Sequence, residues 1–138
     1  MKPIKGILVD PFKREVREVD YNGDWRTIKD HIQCGQSPFD VVRFPDGDCV
    51  YVDDEGLLKN PTHFFMIGGY EGLLAGRGLF LGCDEEGDTG PLRWVKLPWL
   101  RDNVAFFARS TVVEGGWHAT HARGFDSMGA FVRALNGY

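Results

Sequence analysis

Phe39–Val52 reads F-D-V-V-R-F-P-D-G-D-C-V-Y-V, two apolar-rich runs on either side of Pro45-Asp46-Gly47-Asp48. Proline presets the φ of a turn and glycine supplies the backbone freedom that closes it, so the stretch predicts an antiparallel hairpin. It is the strongest local signal in the chain and sets the expectation of a sheet built from hairpins. Downstream, Asp53-Asp54-Glu55-Gly56 turns the chain again. Asn60-Pro61 then breaks it, because the residue before proline is pushed out of helical space. Phe64–Ile67 and Gly78–Gly82 (G-L-F-L-G) are two further apolar segments bounded by glycine-rich turns. The consecutive Leu79, Phe80 and Leu81 predict a strand covered on both faces.

Upstream, Ile4–Val9 reads as a buried strand ended by Asp10-Pro11, and Glu15–Val19 (E-V-R-E-V) has the period of a half-exposed strand. The intervening D-P-F-K-R makes the pair an opening hairpin. Asp24 is placed to cap a helix from Trp25 to about Ile32, with Trp25, Ile28 and Ile32 on one apolar stripe and Cys34-Gly35 closing it. The last third changes character. Pro98–Phe107 has a helix-start proline and apolar residues at helical spacing, predicting a helix. Ser110–Val113 reads as a short strand, and Phe125–Leu135 as a closing amphipathic helix stopped by Asn136-Gly137. The expected fold is therefore α+β, an antiparallel sheet of hairpins with two or three flanking helices. It forms a single domain over 1–138, mostly β hairpins with one helix over 1–90 and more helical and basic over 91–138.

The 138 residues suffice for one buried core, and 43% hydrophobic with 26% charged content is ordinary for a globular protein. The 18 glycines are scattered between apolar runs, which points to tight turns rather than disorder. Cys34, Cys49 and Cys83 are odd in number and lack C-x-x-C spacing, as expected of buried thiols in a reducing cytosol. The N-terminal apolar run is too short for a signal peptide, and no stretch approaches a membrane span of about 18 apolar residues. Charge is uneven: residues 1–90 carry 10 Lys/Arg against 17 Asp/Glu, and residues 91–138 carry 6 against 3, giving −7 and +3 for the net −4. A bipolar molecule can be steered to a partner through either end, and it lacks the uniformly basic footprint of nucleic-acid binders.

The motifs that carry chemistry are sparse. Gly68-Gly69-Tyr70-Glu71-Gly72 and Gly76-Arg77-Gly78 are glycine-rich, but they lack the Lys-Ser/Thr end of a phosphate loop and the third glycine of a dinucleotide fingerprint. Trp117-His118-Ala119-Thr120-His121 contains an H-x-x-H pair, which on a helix would put two zinc-ligating imidazoles on one face. The neighbouring glycines argue for a loop instead, and no third ligand adjoins it. No serine or thiol has the context of an activated nucleophile. Asp84-Glu85-Glu86-Gly87-Asp88 lacks the alternating ligands of a calcium loop and reads as a solvated turn or an acidic contact face.

From Tyr51-Val52-Asp53-Asp54-Glu55-Gly56-Leu57-Leu58-Lys59-Asn60-Pro61 to Leu74-Ala75-Gly76-Arg77-Gly78-Leu79-Phe80-Leu81-Gly82, the chain resembles a family of small uncharacterised proteins carried by bacteriophages and other mobile elements. The shared pattern is an extended segment entering an acidic-Gly turn, then Leu-x-Lys and Asn-Pro. A Leu-Ala-Gly then leads into an apolar strand ending in Gly, with acidic residues behind it. His63–Gly72 departs from the pattern, as does the basic C-terminal third. The resemblance transfers no catalytic residues. It implies an accessory protein in the cytoplasm of a bacterial host.

The reading that follows is a non-enzymatic binding protein that inhibits or redirects a host bacterial protein, for host takeover or anti-defence. Its expected contacts are the acidic residues Asp53, Asp54, Glu55, Asp84, Glu85 and Glu86, and the segment Trp117, His118, His121 and Arg123. No cofactor, metal, membrane or direct nucleic-acid partner is expected, and a homodimer is compatible with the exposed strand edges. Two rival readings stand beside it. One is a sponge for a small ligand or nucleotide signal using Gly68–Gly78 with Arg77, and the other is a metal-dependent hydrolase using His118 and His121.

Overall fold

The computed structural model describes residues 3–55, 62–109 and 117–122. Hairpin chemistry dominates the first half. Strands β1 (Ile4–Asp10) and β2 (Glu15–Tyr21) pair in register from Ile4↔Tyr21 to Asp10↔Glu15. The turn between them is organised by Asp10, whose buried carboxylate accepts from the backbone N–H of Phe12 (2.9 Å) and Lys13 (3.3 Å). The P-D-G turn joins β3 (Phe39–Arg43) to β4 (Asp48–Asp53), with Gly47 at φ 98°, as its sequence predicts. Between these hairpins lie a 3₁₀ turn, Trp25–Thr27, capped by the Asp24 side chain, and the short helix α1 (Ile28–Ile32).

Strands β5 (His63–Ile67) and β6 (Tyr70–Ala75) form a third hairpin, and β7 (Gly78–Cys83) follows. After it come β8 (Thr89–Gly90), helix α2 (Leu97–Asp102), β9 (Val104–Arg109) and β10 (Trp117–Ala122). The strands make two antiparallel sheets rather than the single sheet expected. The larger has the order β2-β1-β7-β4-β3 with β8 added to β7, and the smaller the order β10-β9-β5-β6.

Period-two alternation distributes the core. One face of the larger sheet (Ile7, Val9, Val50, Val52, Phe80) meets Phe65, Ile67, Leu74, Val104 and Phe106 of the smaller sheet in the main cluster. The opposite face (Cys49, Tyr51, Leu79, Leu81, Cys83) packs under Ile28 and Ile32 of α1. Strand β7 lies between β1 and β4 and takes part in both clusters, so all six of its residues are buried. The run Leu79-Phe80-Leu81 is thus covered on both faces, as expected. Gly78 lets the sheets approach, since a Cβ there would lie 2.5 Å from Phe65 Cζ and 2.9 Å from Val50 Cγ2.

A strap, residues 91–96, crosses one end of this sandwich. Pro91 passes so close to β7 that a Cβ on Gly82 would lie 2.1 Å from the Pro91 carbonyl oxygen. The strap is fastened by Asp48, which is fully buried and whose carboxylate accepts from the backbone N–H of Arg93 (2.8 Å), Trp94 (2.8 Å) and Val95 (2.7 Å). Leu92, Val95 and Leu97 then pack against the main cluster.

Several expectations are corrected. The helix predicted over Pro98–Phe107 stops at Asp102, and Val104–Phe107 belongs to β9. Val104 and Phe106 point to one cluster while Ala105 and Phe107 point to another, so strand alternation wins over an apolar run that fits either period. Trp25 leaves the buried part of the predicted stripe: it is 59% exposed and lines a surface cleft, while Ile28 and Ile32 are buried. The helices are accordingly few and short. Tyr70–Ala75, read as glycine-rich turn, is a strand, and Trp117–Ala122, read as a loop, pairs with β9. The strand expected at Ser110–Val113 and the helix at Phe125–Leu135 lie outside the described residues.

Asp48→Ala removes the acceptor of three part-buried N–H groups and is expected to cost about 2–3 kcal/mol, with Asp48→Asn intermediate because its amide keeps one acceptor oxygen. Urea denaturation of the two variants against the parent checks the order. Gly78→Ala forces apart Phe65 and Val50 and is expected to cost about 1–3 kcal/mol in the same assay.

Candidate functional site

The outer face of the larger sheet is not fully covered by its short helix. Beside α1 a cleft of about 410 Å³ opens, lined by Gly23, Trp25, Ile28, Phe39, Tyr51, Gly87, Asp88 and Thr89. Each wall comes from a different element. The 3₁₀ turn brings Trp25, β3 and β4 bring Phe39 and Tyr51, and the turn entering β8 brings Asp88 and Thr89. The aromatic walls are in contact: Trp25 and Phe39 ring centroids lie 6.2 Å apart, and Phe39 meets Tyr51 edge-on at 5.5 Å. Next to the lining, the Tyr21 hydroxyl and Thr89 Oγ1 are hydrogen-bonded at 3.0 Å.

Asp88 is the charged residue of the lining, and Asp84 and Glu86 bring carboxylate oxygens within 4.8 Å of it and of one another. That turn is held by Asp84, whose Oδ1 accepts from the N–H groups of Glu86 and Asp88, each at 2.9 Å. The rim is therefore acidic, while the interior is aromatic and neutral. Aromatic faces carry negative quadrupole charge, so rings and carboxylates together favour a cationic group.

Beneath the cleft lies a thiol, that of Cys49, without the character of a nucleophile. Burial pushes the Cys49 thiol up to about 12, and its Sγ donates to the Leu81 carbonyl at 3.4 Å. Burial also raises Tyr51, keeping its phenol neutral. All three cysteines are buried, as the sequence suggests, with Cys34 Sγ donating to the Ser37 carbonyl at 3.3 Å and the Arg43 guanidinium 3.7 Å from Cys83 Sγ.

The acidic residues singled out in the sequence fall into two separate places. Strands β4 and β7 run antiparallel with Asp48 opposite Gly82 and Tyr51 opposite Leu79, so Asp53 and Asp84 lie towards opposite ends of the sheet. The five residue-to-residue steps from Asp48 to Asp53 alone span about 16 Å at ~3.3 Å per residue. Asp53 Oδ1 accepts from the Glu55 N–H, the Asp54 N–H donates to the Pro38 carbonyl, and Glu55 accepts from the Ser37 hydroxyl at 3.2 Å, so that turn is knitted to the segment before β3. Asp84 and Glu86 adjoin the cleft, and Glu85 is exposed on the same turn.

Arg77 is engaged elsewhere. Its Nε donates to the buried Asp10 carboxylate at 3.2 Å, its Nη1 to Gln33 Oε1 at 2.6 Å, and its guanidinium lies 4.8 Å from the centroid of the Phe12 ring. Trp117, His118 and His121 are on β10, with a register shift between Ala119 and His121, so the helical spacing that would aim both imidazoles one way does not apply. Arg123 lies outside the described residues. Trp25, Phe39, Tyr51 and Asp88 were not recognisable as a set, because their positions span more than sixty residues and only the sheet register brings them together.

These features define a two-sheet antiparallel β protein with an aromatic, acid-rimmed cleft beside a short helix. The chain belongs to the DUF3846 family, a domain of unknown function whose model matches residues 4–96. The match runs from β1 through the strap and contains every residue that lines the cleft. No curated protein and no solved structure matches the chain. Among the described residues, no helix is long and apolar enough to cross a membrane.

Because the thiolate is the reactive form, Cys49 at a pKa near 12 is about one part in ten thousand ionised at pH 8. Its alkylation in the native protein is expected to be limited by unfolding, which mass-resolved iodoacetamide labelling with and without urea would show. Cys49 and Tyr51 both hold their protons more tightly folded than unfolded. Their contribution to stability is complete below pH 9 and is lost as the pH rises towards 12. Cys49→Ala should flatten part of that alkaline decline in urea midpoints measured from pH 8 to 11.

Proposed function

We propose that this protein is a non-catalytic binding protein whose cleft receives a lysine or arginine side chain presented by a partner protein. The observation that carries the reading is the cleft lining: three aromatic side chains around a cavity whose charged member is Asp88, with Asp84 and Glu86 at its mouth. Such a site rewards a cation twice, through ring quadrupoles and through the exposed carboxylates at its rim. In the bacteriophage or mobile-element setting that the sequence resembles, the partner is a host bacterial protein whose function is inhibited or redirected, in the cytoplasm of that host. The Asp53-Asp54-Glu55 turn is the weaker of the two acidic candidates, since none of its residues lines the cleft and it lies towards the opposite end of the sheet.

The glycine-rich segment supports a nucleotide sponge less well, because β6 occupies part of it and the Arg77 guanidinium is already held by Asp10, Gln33 and Phe12. One observation favours a related second reading. A volume of about 410 Å³ falls within the usual range for small-molecule pockets, so a free organic cation would also fit the aromatic cleft.

Titration of the full chain with an arginine-containing peptide and with its glutamate counterpart, followed by Trp25-sensitive fluorescence, separates these ideas. Binding of the basic peptide that weakens at least about tenfold in Asp88→Ala and in Trp25→Ala is expected, since one lost charge-assisted contact is worth roughly 1.4 kcal/mol or more. Equal affinity for both peptides, or none for either, would sink the proposal. A thermal shift with small organic cations but not with peptide would favour the second reading.

A further inference from the structure

Strap and α2 present two unlike sides. Leu92, Val95, Leu97 and Leu100 turn to the core, whereas Arg93, Trp94, Lys96, Trp99 and Arg101 are exposed. Trp94 is 68% exposed and Trp99 46%, a large apolar area to leave in water on a segment fastened rigidly by Asp48. Flanking cations make the surface basic as well as aromatic. The opposite surface is present on the same molecule, namely the acidic turn 84–88 with the 59% exposed Trp25 across the cleft. Both adjoin β8: the acidic turn leads into Thr89–Gly90 and the strap leads out of it. Within one chain they do not meet, since the strap is drawn across the sandwich end, and among the described residues no ion pair joins them.

We propose that the strap's partner is a second copy of this chain, in a two-fold dimer in which each basic, tryptophan-bearing strap packs on the acidic rim of the other copy. A single axis near β8 forms both contacts at once, because strap and rim flank that short strand, and the assembly closes. Trp and Arg are the residues that carry most binding energy at such interfaces, and charge complementarity sets the register. The inference uses the charge of the rim but not the identity of whatever enters the cleft.

Sedimentation equilibrium of the full chain tests it through a charge exchange. The parent is expected to be a dimer that weakens by roughly tenfold as salt rises from about 0.05 to 0.5 M. Glu85→Lys/Glu86→Lys alone and Arg93→Glu/Lys96→Glu alone are expected to be monomers. An equimolar mixture of the two should regain a dimer, since both contacts are then opposite in charge. Trp94→Ser, checked with the others by circular dichroism for retained fold, supplies a charge-neutral variant expected to be monomeric. A parent that is monomeric at all concentrations, reversed variants that dimerise unaided, or a mixture that stays monomeric would each overturn the proposal. So would a monomer whose strap binds an oligonucleotide or an anionic vesicle instead. Glu86→Lys also alters the mouth of the cleft, so peptide binding is compared on Arg93→Glu/Lys96→Glu, which leaves the rim intact, and either reading can then fail alone.

Discussion

Three backbone N–H groups converge on one fully buried carboxylate, that of Asp48, and much of the arrangement depends on that convergence. A buried charge is costly unless every lone pair finds a donor, and here the donors come from a segment forty-five or more residues away. The same residue is tied locally, its N–H to Asp46 and its carbonyl to the N–H of Phe44. The P-D-G-D turn thus does more than reverse the chain. It offers an anion at the sandwich end, and that anion holds the strap so that Leu92, Val95 and Leu97 reach the core while the tryptophans face outward.

The central strand obeys a related constraint. Strand β7 is packed from both sides and flanked by two partners, so glycine appears where another backbone or ring must come close. Gly78 admits Phe65 from the smaller sheet, and Gly82 admits the Pro91 carbonyl of the strap. Gly78, which in the sequence belongs to a glycine-rich stretch resembling a binding loop, is thus a point of contact between layers. The cleft arises for the complementary reason. Helix α1 is only five residues long and cannot roof the sheet, which leaves Phe39 and Tyr51 beside Trp25. A short cover over a wide sheet leaves a cavity at its edge.

Hairpins were legible because their signals are local. D-P-F-K-R and P-D-G specify turns through the φ preferences of Pro and Gly and through side-chain acceptors such as Asp10, all within a few residues of one another. The apolar run Val104–Phe107 was misread because four consecutive apolar residues fit a helix face and a doubly covered strand equally well. Its outcome depended on β5, whose Phe65 faces Phe106 across the pair. The acidic clusters were visible in the sequence, but that one of them rims a cleft and the other is knitted into a turn was not.

What the sequence by itself determined is the alphabet of the fold: two hairpins, a capped short helical segment, an apolar central strand and three buried thiols. Each follows from residue-level propensity, from capping or from period-two burial, which act over a few neighbours. The division into two sheets, the fastening of the strap to Asp48, and the meeting of Trp25, Phe39, Tyr51 and Asp88 were decided only by tertiary structure. Those are pairings between distant segments, selected by the joint burial of many side chains and by the need to satisfy a buried charge. No single stretch of sequence carries that information.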